Sequence, residues 1–127
     1  MVFDPRAFLS EPDIRKAVGK FCEATINTAT TEPRLGCMMA SAALGQSERV
    51  AEIRSFFAQG LSASANILAG RFEKEMRARR LSRKLSAKVR GRALDDLMPG
   101  MLLRAKAGVP RKELLEDARS YAAVVLA

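Results

Sequence analysis

Apolar residues recur three and four positions apart along almost the whole chain, and the alternation of β-branched with polar residues that marks strands is nearly absent. That period predicts an all-α fold of five helices joined by short loops. At 127 residues the chain fits one domain. A chain of this size buries roughly two thirds of its unfolded surface, so neither disulfide nor metal is needed to hold it together. Cys22 and Cys37 read as two buried thiols of a reducing compartment. Asp4, Pro5 and Arg6 interrupt the stretch where a secretory leader would be apolar, and no apolar run approaches a membrane span. The expectation is a cytoplasmic protein with no membrane contact.

The spacing places the helices. The first starts near Pro12, with Ser10 and Asp13 forming a box-like cap, and its inner face carries Ile14, Val18, Phe21, Cys22, Thr25, Ile26 and Ala29. After Thr30 to Pro33 and Gly36 comes a short helix, Cys37 to Leu44, apolar on nearly every side and therefore expected to be buried. Ser47 caps a third helix running to about Arg80, with Val50, Ile53, Phe57, Leu61, Ser64, Ile67 or Leu68, and Phe72 inward. Gly60 and Gly70 weaken it by about 1 kcal/mol each relative to alanine, which suggests close approach of a neighbouring helix there. Ser86 caps a fourth helix ended by Gly108 in a left-handed turn, and Pro110 opens the fifth. Residues 1–11 read as an arm or linker remnant and residues 12–127 as the helical domain.

The chemistry is limited by what is missing. There is no histidine, which removes Ser-His and Cys-His nucleophilic pairs and His-bearing zinc sites. No metal-ligand spacing, phosphate-cradling glycine loop or cofactor motif is present. The adjacent carboxylates Asp95 and Asp96, like Glu116 and Asp117, point about 100° apart on a helix and do not converge on one site. They read as solvated charges or as partners of Arg92 or Arg104. The sequence thus points to a binding or assembly module, not to an enzyme.

Two segments carry a family resemblance. Pro33, Arg34, Leu35, Gly36, Cys37, Met38 and Met39, followed by an alanine-rich helix, are similar to the Pro-Arg-Gly-Cys-Leu-Leu turn of TetR-type transcriptional regulators. Leu103 to Val109, with Gly100 before it and Pro110 to Leu114 after it, resembles the Ala-Arg-Ala-Gly junction between that family's last two helices. The likeness covers about residues 11–127 and is to the C-terminal effector-binding and dimerisation domain. It implies a five-helix bundle that forms a homodimer through its last two helices, here Leu94, Leu97, Met98, Leu102, Ala105, Leu114, Ala118, Tyr121, Ala122 and Val125. It also implies a pocket for a small apolar effector, with Phe21, Thr25, Met39, Phe57, Leu61, Ser64 and Met98 as candidate lining residues.

Two departures stand beside the resemblance. No helix-turn-helix sequence precedes Pro12, so DNA reading would fall to a separate or missing domain, and the chain is either a fragment or a free-standing domain. Pro99 lies inside the fourth helix, where it removes a backbone hydrogen bond and favours a kink. An adaptor that pairs with a full-length relative is a third possibility.

The charge is the rival signal. Lys and Arg number 22 against 14 Asp and Glu, a formal net charge of +8. Residues 71–92 hold ten basic and two acidic side chains, so the other residues balance. Arg77, Arg79, Arg80, Arg83, Lys84 and Lys88 make up the candidate patch for nucleic acid or an acidic protein.

Overall fold

The computed structural model describes residues 5–31 and 51–127, which form helices joined by short connections, with no strand among them. The elements are α1 (Pro5–Ser10), α2 (Ile14–Thr31), α3 (Ala51–Arg77), α4 (Ala87–Lys106) and α5 (Arg111–Leu126). The expected short helix Cys37 to Leu44, the Pro33 to Met39 turn and the Ser47 cap lie outside the described residues. Helix α4 is central: α2, α3 and α5 all pack on it, α2 also packs on α5, and α1 closes one end against α2 and α3. The core joins Val18, Phe21 and Ile26 of α2 with Leu68 and Phe72 of α3, Leu94 and Met101 of α4, and Leu114, Ala118 and Val125 of α5.

The segment expected to be an arm contains a helix that belongs to this core. Phe8 is buried, with its ring edge-on to Phe21 at 6.2 Å and to Phe72 at 6.0 Å between centroids. A six-residue helix has too few internal hydrogen bonds to persist alone. Arg71 of α3 supplies the missing partners: its guanidinium donates to the carbonyls of Phe8 (2.7 Å), Leu9 (3.2 Å) and Glu11 (2.6 Å). These are the acceptors that a helix end leaves open. Helix α2 consequently begins at Ile14 rather than Pro12. Asp13 caps it by accepting from the Arg15 amide at 2.9 Å, while the Ser10 hydroxyl turns back to the Ala7 carbonyl.

The face of α3 also differs from the expected one. Leu68, the alternative to Ile67, and Phe72 face inward as expected, but Ala65 and Glu75 join them and Leu61 is exposed, while Val50 and the Ile53 side chain lie outside the described residues. The close approach lies on the other helix of the pair. A Cβ at Gly60 or Gly70 would meet no atom among the described residues, but one at Gly91 of α4 would lie 2.7 Å from the Ala65 carbonyl oxygen and 2.8 Å from the Ala69 amide nitrogen. Backbone meets backbone at this crossing, and only glycine permits it.

Local signals near α4 and α5 read as expected. Ser86 caps α4 by accepting from the Val89 amide at 3.1 Å. Helix α4 ends in a Schellman turn, with the Val109 amide bonded to Arg104, the Gly108 amide bonded to Ala105, and Gly108 at φ 93°. Pro110 is the N-cap of α5. Helix α3 ends three residues short of Arg80, in the same motif: the Arg80 amide bonds to Glu75 and the Arg79 amide to Met76. Here the left-handed residue is Arg79, at φ 60°.

Candidate functional site

The last two helices present two different faces. Leu94, Leu102, Leu114, Ala118 and Val125, expected at a dimer seam, are buried within the single chain, because α4 is surrounded by three neighbours. Leu97, Met98, Ala105 and Ala122 are half-buried, and of the expected set only Tyr121 is substantially exposed, at 43%. The outward surface is built from other residues. Val89, Ala93, Asp96, Gly100 and Leu103 follow one another at spacings of four, three, four and three, one stripe of a helix. Val89 and Leu103 are half exposed, and Val124 of α5 is 63% exposed.

Between this stripe and α5 runs a groove of about 350 Å³, with an almost wholly apolar lining that includes Ala93, Leu97, Gly100, Met101, Tyr121 and Val124. Asp96 and Arg104 lie on the same groove, each four residues from Gly100. Arg104 is held in place by Asp117 and, at 3.8 Å, by Glu113, so this cation bridges the two helices as the sequence allowed. A Cβ at Gly100 would meet no atom among the described residues, so their packing does not require glycine there.

Of the effector candidates, five have described side chains: Phe21, Thr25, Leu61, Ser64 and Met98. Phe21 and Thr25 are buried, and the Thr25 hydroxyl donates to the Phe21 carbonyl of its own helix at 2.9 Å. Met39 and the Phe57 side chain lie outside the described residues. Leu61 lines a shallow groove of about 170 Å³ between α3 and α4, together with Ser62, Arg92, Asp95 and Asp96. The Ser64 hydroxyl is committed to Asp95 at 2.6 Å. Met98 is half-buried on α4. Asp95, expected to be solvated, is buried, and desolvation pushes its carboxyl above the ordinary range against the smaller opposing effect of the Ser64 hydrogen bond. Asp96 beside it is exposed.

The basic segment divides by role. Arg71 and Arg90 are buried. Arg90 donates to the carbonyls of Ser82 (2.9 Å), Leu85 (3.2 Å), Ala127 (2.8 Å) and Val125, tying the α3–α4 connection to the end of α5. Arg77 pairs with Glu73, and Arg80 with Glu75, whose carboxyl Arg80 and Arg71 hold below the ordinary range. Lys74, Arg79, Arg83, Lys84, Lys88 and Arg92 are exposed and have no acidic partner among the described residues. No group of His, Cys, Asp and Glu among the described residues could hold a metal ion, and no described helix is long and apolar enough to cross a membrane.

The outward stripe of α4 was open to sequence reasoning, since its four-three spacing is visible; it was masked by the stronger inward pattern of the same helix. No family model matches the chain, and neither a curated protein nor a solved structure matches it.

Proposed function

We propose that this chain is an assembly module that forms a homodimer through the outward face of α4 and α5, in the manner of the C-terminal domain of TetR-type regulators. The observation that carries the reading is the apolar groove at Gly100, flanked by exposed Val89, Leu103, Tyr121 and Val124. A two-fold axis passing by Gly100 makes the surface self-complementary. Asp96 of one copy then lies opposite Arg104 of the other, and Leu97 opposite Leu103, because each pair is nearly equidistant from Gly100 in the sequence. The bare backbone at Gly100 lets the two α4 helices approach closely.

Sedimentation equilibrium tests this directly. The wild-type chain is expected to be a dimer in the micromolar range. Gly100→Arg, whose Cβ would meet no atom among the described residues, and Val124→Glu are expected to give monomers with unchanged helical circular dichroism. A wild-type chain that stays monomeric throughout that range, or variants that remain dimeric, would overturn the assignment.

A further inference from the structure

The two Schellman turns among the described residues differ in one residue type. At the end of α4 the left-handed position is glycine (Gly108, φ 93°), and at the end of α3 it is arginine (Arg79, φ 60°). An L-residue with a Cβ is disfavoured in that conformation, and glycine is the usual occupant. Strained residues of this kind persist where the side chain has work that outweighs the strain. The Arg79 side chain is exposed and has no acidic partner among the described residues, so no described ion pair accounts for its presence.

Its surroundings supply a reason. Lys74 in the last turns of α3, Arg79, Arg83 and Lys84 in the nine-residue connection, and Lys88 and Arg92 in the first turns of α4 follow one another along the chain, all exposed and without an acidic partner among the described residues. The two acids of the segment are already occupied by Arg77, Arg80 and Arg71. The connection is anchored by buried Arg90, through the Ser82 and Leu85 carbonyls. Side chains on a held connection lose less entropy on binding than they would on a floppy loop.

We infer that this segment binds the phosphate backbone of a nucleic-acid duplex without reading its sequence. Six charges spread over two helix ends and the connection between them suit a run of phosphates better than a single small anion. The only aromatic side chain of residues 71–92, Phe72, is fully buried, so nothing there can stack on the bases of a single strand. Leu81 is buried and Leu85 half-buried, which leaves the connection without an apolar anchor for a membrane surface. The contact is independent of dimerisation, and a duplex long enough for one such segment tests it in a monomeric variant as well.

Fluorescence anisotropy of a labelled, arbitrary DNA duplex against salt is the test, with anionic phospholipid vesicles as the second probe. Four to six phosphate contacts predict affinity falling by about 10²- to 10³-fold between about 50 and 200 mM salt. Arg83→Ala/Lys84→Ala/Lys88→Ala is expected to lower the salt slope by roughly 3. Lys106→Ala/Arg111→Ala/Lys112→Ala removes the same charge at the far end of α4, ~30 Å away, and is expected to leave the slope unchanged. Arg79→Gly separates binding from folding: it is expected to raise the melting temperature by roughly 3–5 °C while weakening duplex binding. No binding at low salt, equal losses in the two triple variants, binding to vesicles but not to the duplex, or full binding by Arg79→Gly would each overturn the inference.

Discussion

The Ser64 hydroxyl of α3 donates to Asp95 of α4 across 2.6 Å, one turn from the point where Gly91 lets the two backbones touch. A carboxylate is thus held at the tightest crossing of the bundle, where water has little access and the charged form is disfavoured. Its pKa lies above the ordinary 3.8 because of that burial.

A group whose folded pKa is raised takes up its proton more readily when folded. Its contribution therefore favours folding in acid and is lost as pH rises through the folded pKa. Glu75, held low by Arg80 and Arg71, has the opposite dependence, so the comparison has to be between Asp95 variants. Asp95→Asn retains an acceptor for Ser64 and removes the buried charge. Its urea midpoint is expected to exceed that of the wild type at neutral pH, with the gap closing as pH falls toward 3.8. A variant destabilised equally at both pH values would contradict this account.

Gly91→Ala is expected to destabilise the fold by about 1–3 kcal/mol, because the added Cβ meets backbone atoms that cannot rotate away. That cost outweighs the gain in helix propensity of about 1 kcal/mol. Gly60→Ala and Gly70→Ala meet no atom among the described residues and are expected to stabilise instead. Chemical denaturation of the three variants distinguishes the crossing point.

Phe8→Ala is expected to cost about 3–5 kcal/mol, the range for a buried ring. The loss removes two edge-on ring contacts and the cation–π contact of Arg71, whose guanidinium carbon lies 5.9 Å from the Phe8 centroid. A change below about 1 kcal/mol would mean that α1 is a peripheral arm after all.

Arg90→Met keeps much of the side-chain volume but abandons the carbonyls of Ser82, Leu85, Val125 and Ala127. The bond to Val125 is buried and the other three are part-buried, and a buried carbonyl left open costs about 1–3 kcal/mol, so a loss of at least ~1 kcal/mol is expected. Amide hydrogen exchange in residues 80–86 should accelerate with it, since the connection loses its anchor.

The Cys22 thiol is buried, and burial pushes it up to about 11. The thiolate is the reactive form, so in a Cys37→Ser background Cys22 is expected to resist thiol reagents at pH 8 until the chain unfolds. Rapid labelling of the native protein would show that the α2–α5 contact opens on that timescale.

Local chemistry made part of this structure legible from the residues alone. The helical period, the Ser86 cap, the Gly108 turn and the Pro110 start depend on neighbours within a few positions, and the structure places each of them as read. Long-range packing decided the rest. Phe8 became core because Arg71, far along the chain, completes the end of α1. Gly91 rather than Gly60 or Gly70 marks the close crossing because that depends on which faces of two helices meet. Asp95 and Asp96 are adjacent, yet one is buried and the other exposed, since a step of 100° on α4 separates the α3 side from solvent. In the basic segment, composition showed ten similar charges; only the packing separated two internal struts from the six cations without an acidic partner among the described residues. A side chain's type is written in the sequence, but its solvation is set by what the fold lays against it.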